Sequence, residues 1–154
     1  MALTQQEANS LLQMPKEFVD PEPLEFSQIE PMNYDRLLQS ADRREQFLLT
    51  IERGQRNRIR LKYQTRARKI IVLARLDLNG PAHQNPPESP YQPDRRIAGP
   101  HMHLYRENFE DRIAYELADV PGFILRDLGS GVSCLEDFLR FVGLRKWPAI
   151  QLSI

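Results

Sequence analysis

All three histidines of the chain fall between positions 83 and 103: His83, His101 and His103. His101 and His103 stand two apart in a segment, 101–107, that reads as strand, so their side chains share one face. Tyr105 and Glu107 continue that face, while Met102 and Leu104 point the other way, toward a core. Imidazole titrates near neutrality, so one ring can act as base and another as acid. Cleavage of RNA through its 2′-hydroxyl needs such a pair, with cations to hold the non-bridging phosphate oxygens. The expected catalytic set is His83, His101, His103 and Tyr105, the phenol donating a proton or stacking on a base. This chemistry requires no metal and no cofactor, and none is expected. Two other readings use the same residues. His-x-His with His83 or Asp77 matches a three-ligand metal site with an open position; alternatively the rings only hydrogen-bond within the sheet, with His83 in a loop.

The cations come from a neighbouring segment. Over residues 56–68, Arg56, Arg58, Arg60, Lys62, Gln64, Arg66 and Arg68 alternate with Ile59, Leu61, Tyr63, Thr65 and Ala67. Same-face residues of a strand recur every ~6.6–6.8 Å, which makes a charged ladder about 40 Å long. Such a row can neutralise successive phosphates, and arginine adds bidentate geometry. The expected nucleic-acid-binding set is Arg56, Arg58, Arg60, Lys62, Arg66, Arg68 and Arg75. The blander reading is a solvated edge strand whose charges block edge-to-edge pairing. An acidic protein face would fit the ladder equally well. The formal net charge of zero conceals this segregation: residues 1–42 carry −6, residues 43–75 carry +9 and residues 76–154 carry −3. The acidic N-terminal third is a candidate to cover the basic strand.

These residues need a scaffold, and 154 residues suffice for a single domain, 1–154. Thr4-Gln-Gln-Glu7 is a capping box, which predicts a helix within 1–14 that buries Ala8, Leu11 and Leu12 and is closed by Pro15. Residues 15–33, with Pro15, Pro21, Pro23 and Pro31, read as an extended acidic arm. Alternating segments at 34–40, 45–53, 56–68, 69–78, 101–107 and 112–117 read as strands, so 34–117 is sheet interrupted by a Pro-rich loop at 80–100. Loops of that length are uncommon in compact domains unless functional or mobile. A second capping box, Ser133-Cys-Leu-Glu136, predicts a helix at 133–142 with Gly143 as its C-cap. The tail 149–154 is apolar enough to dock. The expected fold is α+β: a twisted antiparallel sheet of five or six strands with the N- and C-terminal helices on one face.

Missing features exclude other classes. The chain holds no phosphate-binding Gly-rich loop of either common type, no Gly-x-Ser-x-Gly and no His-Glu-x-x-His. A nucleotide hydrolase, dehydrogenase, serine hydrolase or zincin is disfavoured. No apolar run approaches the ~20 residues of a membrane helix. The N-terminus lacks the pattern of a signal peptide. The single cysteine, Cys134, cannot form an internal disulfide and is read as structural. A cytoplasmic protein with no membrane partner is expected.

Two stretches carry a resemblance. Arg75-Leu-Asp-Leu-Asn-Gly-Pro-Ala-His83-Gln-Asn-Pro and Gly99-Pro-His-Met-His-Leu-Tyr-Arg-Glu107 resemble the shared signatures of a bacterial family defined by a domain of unknown function. The likeness extends over most of the chain, including the Phe-Val-Asp-Pro-Glu-Pro arm at 18–23. The Pro-His-x-His piece is also similar to a motif of small proteins found in toxin–antitoxin neighbourhoods. The leading expectation is a metal-independent ribonuclease-like protein, the toxin of such a pair, with RNA as substrate and an acidic antitoxin as a partner. The alternative is a non-enzymatic regulator, or a defence or phage inhibitor, that binds nucleic acid or an acidic protein. Rings converging on an open cleft favour the enzyme; rings tied to backbone carbonyls favour the binder.

Overall fold

The structure is a computed structural model and describes residues 2–154. Among the described residues two α-helices, α1 (Gln5–Gln13) and α2 (Gly131–Phe141), accompany eleven strands. In chain order the first six are β1 (Lys16–Phe18), β2 (Leu24–Ser27), β3 (Met32–Ser40), β4 (Gln46–Arg53), β5 (Leu61–Ala67) and β6 (Ile71–Leu78). The others are β7 (His83–Gln84), β8 (Arg96–Ile97), β9 (His101–Leu104), β10 (Ala114–Glu116) and β11 (Ile150–Ser153). The main sheet has seven strands in the order β1-β3-β4-β5-β6-β9-β10, every pair antiparallel. The protein is α+β, with more strands in its main sheet than the five or six expected.

The extra strand comes from the acidic arm. Lys16–Phe18 lies between Pro15 and Pro21, so its backbone donors are intact, and it pairs with Leu38–Ser40 as the sheet's edge. Leu24–Ser27 pairs in parallel with the tail strand Ile150–Ser153. Arg36 pins the stretch between them by donating to the carbonyls of Asp20 at 2.8 Å, Glu22 at 2.6 Å and Pro23 at 3.1 Å. The arm is thus part of the scaffold. Among the described residues its single ion pair with the basic run is Glu30–Arg58, at 3.6 Å.

The N-terminal helix forms as its cap predicts. The Thr4 hydroxyl accepts from Glu7 N–H at 3.1 Å, and the Glu7 carboxylate accepts from Thr4 N–H at 3.0 Å. Met1, in the expected span 1–14, lies outside the described residues. At the far end of α1, the Lys16 ammonium donates to the carbonyls of Leu11, Leu12, Met14 and Val142 at 2.6–3.1 Å. Burial pushes its pKa down to about 7. The carbonyls, which only accept, favour the ammonium at the negative ends of both helices. The second helix begins earlier than the Ser133 box predicts. Ser130 is its N-cap, accepting from Ser133 N–H at 3.0 Å, and Glu136 instead meets Arg126 at 3.1 Å. Gly131 lets the helix start close to the sheet: a Cβ there would lie 2.7 Å from the Leu61 side chain.

The core lies on one face of the central strands. Leu38, Phe47, Leu49, Ile51, Tyr63, Leu76 and Met102 from the sheet join Ala8 and Leu11 of α1 and Cys134, Leu135, Phe138 and Leu139 of α2. The opposite, outer face is polar. There Glu52, Lys62, Asp77 and His101 stand in one cross-strand row, and Thr50, Gln64, Arg75 and His103 in the next. Among the described residues, no helix is long and apolar enough to cross a membrane.

Candidate functional site

The basic run is not one strand. Residues 54–60 form the β4–β5 turn, closed by Gly54 N–H to Arg60 O at 2.9 Å, so Arg56, Arg58 and Arg60 leave the ladder. Arg68 and Lys69 sit in the next turn with φ of 53° and 70°, and Ile70 N–H returns to Ala67 O at 3.1 Å. Left-handed backbone at both central residues matches the right-handed twist of the strands on either side. On β5 only Lys62, Gln64 and Arg66 project from the outer face, and both cations are paired. Lys62 meets Glu52 at 3.5 Å, while Arg66 meets Asp35 at 3.4 Å and donates to the Thr50 hydroxyl at 3.1 Å. Arg68 meets Glu45 at 3.5 Å. Arg60 runs beneath Gly80, where a Cβ would lie 2.9 Å from its Nε. The ladder expected over 56–68 is therefore corrected to three outward positions between two turns. Alternation fixed the face, while the neutralising acids come from β3 and β4 through pairing that the run itself does not reveal.

A second group of cations lies outside the expected binding set apart from Arg68. Arg43 and Arg44 at the β3–β4 turn lie beside Arg68 and Lys69 at the β5–β6 turn, and all four are exposed. With Glu45 and Gln46 they line a depression of about 490 Å³.

His101 and His103 lie on the same outer face, on β9, three strands away from Glu52 of β4. Asp77 of β6 faces His101 of β9, and Arg75 faces His103. One Asp77 oxygen, Oδ2, lies 3.4 Å from His101 Nε2 and 3.7 Å from His103 Nε2. The other, Oδ1, accepts from Arg75 Nε at 3.1 Å, and Arg75 also meets Asp111 at 3.5 Å. Each ring's other nitrogen, Nδ1, contacts a backbone carbonyl: His101 that of Gly99 at 2.9 Å, His103 that of Asp111 at 2.8 Å. A carbonyl only accepts, so both Nδ1 atoms carry protons. Both rings are 1 % exposed, and neither Nε2 has a hydrogen-bond partner among the described residues. Burial, aided by the Arg75 charge, pushes the His103 pKa down to about 3. Burial opposes ionisation of Asp77, but its polar neighbours, the Arg75 charge among them, outweigh it and hold the carboxyl below its usual range.

The remaining candidates are divided. His83 joins the cluster, its ring 4.6 Å from that of His103 and its Nε2 held 2.7 Å from Arg112 O. Tyr105 does not. Strand β9 ends at Leu104, the alternation stops, and the Tyr105 hydroxyl is held by the backbone N–H and carbonyl of Leu3, each at 2.8 Å. Arg75, expected to bind phosphate, serves Asp77 and Asp111. Burial pushes the Cys134 thiol up to about 11, in keeping with a structural role.

The Pro-rich loop is structured. Strands β7 and β8 pair within it, and Asn85, fully buried, ties it to β10. Its side chain accepts from Ala114 N–H at 2.8 Å and donates to Ala114 O at 3.1 Å. From sequence, Asn85 with His83 and Gln84 suits either a plain loop or a phosphate or base pocket; the structure turns its amide inward to Ala114. The Asn-Pro pair that marked it as loop gave no hint of its partner.

Fold and cluster together define an α+β protein with a buried His–His–Asp centre on the polar face of an antiparallel sheet. The stretches 75–86 and 99–107, which carried the resemblance, are the ones that build it. The chain belongs to DUF6978, a family of unknown function, whose model matches residues 3–144. No curated protein and no solved structure matches it.

Proposed function

We propose that the protein is a non-enzymatic module that binds the phosphodiester backbone of nucleic acid. The observation that carries this reading is the grouping of Arg43, Arg44, Arg68 and Lys69 on two adjacent turns at one end of the sheet, exposed around a shared depression. Only Arg68 of the four has an ion-pair partner among the described residues. Clustered exposed cations attract phosphates and release their counterions. Acid–base cleavage of RNA is less well supported. It needs ring nitrogens that reach the substrate, whereas His101 and His103 are 1 % exposed and each commits Nδ1 to a carbonyl.

Binding of fluorescent RNA and DNA oligonucleotides across a salt series tests the reading. The wild-type protein should bind at low salt, with affinity falling steeply as salt rises. Replacing Arg43, Arg44 and Lys69 together with Gln should flatten the log–log slope by about 2 units, at ~0.7–0.9 per lost phosphate contact. No binding, or a slope unchanged in the triple variant, overturns the proposal. Incubating RNA with the protein in EDTA supplies the other arm: cleavage abolished by His101→Gln/His103→Gln would replace the binder with the ribonuclease.

A further inference from the structure

We propose that Asp77, His101 and His103 bind one divalent transition-metal ion of the zinc class, through Asp77 Oδ2 and the two Nε2 atoms. The site is independent of the nucleic-acid reading. Its first support is a conflict in hydrogen bonding. With Nδ1–H of each ring donated to a carbonyl, a ring in its neutral form turns a lone pair at Nε2 toward the carboxylate. Three acceptors then face one another, their atoms all within 4.8 Å, at residues no more than 4 % exposed. Buried acceptors without a donor are rare and costly, and a cation at their centre satisfies all three together.

The geometry supports the same conclusion. Zinc holds ligands at ~2.0–2.1 Å in a tetrahedron, which sets neighbouring ligand atoms about 3.3–3.4 Å apart. Asp77 Oδ2 lies 3.4 Å and 3.7 Å from the two nitrogens. The surroundings also match a metal site. Metal-bound imidazoles characteristically donate their second N–H to a carbonyl or carboxylate, which fixes tautomer and ring plane. Both rings do so here. The Asp77 oxygen that faces the rings is the one Arg75 leaves free. Two imidazoles and one carboxylate suit zinc and its transition-metal neighbours, not magnesium or calcium, which take oxygen donors.

The Arg75 charge opposes a dication, and Asp111, 3.5 Å from the guanidinium, offsets part of it. At 1 % exposure of both rings the ion acts as a brace. It links β6 to β9, and His83 on the Pro-rich loop packs against one of its ligands.

The test uses the full chain, stripped with a chelator and dialysed. Elemental analysis after zinc addition should give one ion per chain. Cobalt(II) should produce the visible absorption of a low-coordinate site, which zinc then displaces, while magnesium and calcium should not. Zinc should raise the Tm by several degrees. His101→Gln and His103→Gln should each weaken zinc affinity by about 100-fold or more, at or beyond the upper range for losing even an outer partner of a ligand. If those variants fail to fold, histidine ring nitrogen chemical shifts in the wild type carry the test: zinc should move both Nε2 resonances. Absence of stoichiometric zinc with an unchanged Tm overturns the proposal, as does zinc uptake that leaves both Nε2 resonances in place.

Discussion

Two neighbouring strips of the same sheet face treat their polar groups in opposite ways. On β5 the cations are half-buried and their charges are matched, Lys62 by Glu52 and Arg66 by Asp35 and Thr50, although Arg66 Nε has no partner of its own among the described residues. On β6 and β9, beneath the Pro-rich loop, two buried imidazole nitrogens face a buried carboxylate oxygen and have no hydrogen-bond partner among the described residues. The strip that draws attention in the sequence by its charge is balanced by its neighbours. The strip with three modest residues is the one left needing a ligand. A row of like charges is therefore weak support for a site until its cross-strand partners are known, whereas a buried group lacking a partner points to something missing.

Lowering pH offers the strongest way to break this contrast. Burial holds His103 neutral, its pKa near 3. The unfolded chain, with an ordinary histidine pKa of ~6.5, takes up a proton that the folded chain refuses until near that lower value. Stability should therefore fall as pH drops from 6.5 toward 3, by up to about 1.4 kcal/mol per pH unit from this group. Urea unfolding of chelator-treated protein across that range measures it. His103→Gln should flatten the decline, while Lys62→Gln should leave it intact. Equal slopes in the wild type and His103→Gln would mean that the ring is not held neutral by burial.

The loop above the cluster comes next. Asn85→Ala removes the side chain that satisfies both backbone groups of buried Ala114. Stranding buried backbone groups costs about 1–3 kcal/mol each, so for the two groups a loss of at least about 2 kcal/mol in urea is expected. A loss below ~0.5 kcal/mol would show that the loop is not tied down there. Asp77→Asn sharpens the comparison with less effect on the metal-free fold. Its amide can donate to the ring nitrogens that the carboxylate only faces, so the stripped protein should change by about 1 kcal/mol or less. The zinc-induced rise in Tm should vanish. In Lys62→Gln that rise should persist.

Both strips had legible faces. Period-two alternation put His101 and His103 together, sent Met102 into the core and turned Lys62, Gln64 and Arg66 outward. The Thr4–Glu7 cap was equally local, and it formed. What stayed hidden depends on pairing between segments distant in sequence. Asp77 was visible only as one alternative ligand, because its place opposite His101 is set by the β6–β9 register across the whole Pro-rich loop. Glu52 and Asp35 were visible as acids, but not as the partners of Lys62 and Arg66. The strand in the acidic arm was obscured in the same way, as was the partner strand of a tail whose apolarity had suggested docking, since prolines signal where pairing stops and not where it resumes.

The smallest effect tests the balanced strip directly. A double-mutant cycle on Lys62 and Glu52, each changed to Gln, should return a coupling of about 0.2–1 kcal/mol, as expected for a partly exposed pair. Nucleic-acid affinity provides the second half of the test. If the pair is already neutralised within the sheet, Lys62→Gln should change binding less than twofold, and Glu52→Gln, which frees Lys62, should strengthen it. Loss of affinity in Lys62→Gln comparable to that in the Arg43/Arg44/Lys69 triple variant would mean that phosphate outcompetes Glu52 for the ammonium. The β5 strip would then belong to the binding surface despite its internal pairing, and the contrast between matched and unmatched strips would describe the free protein only.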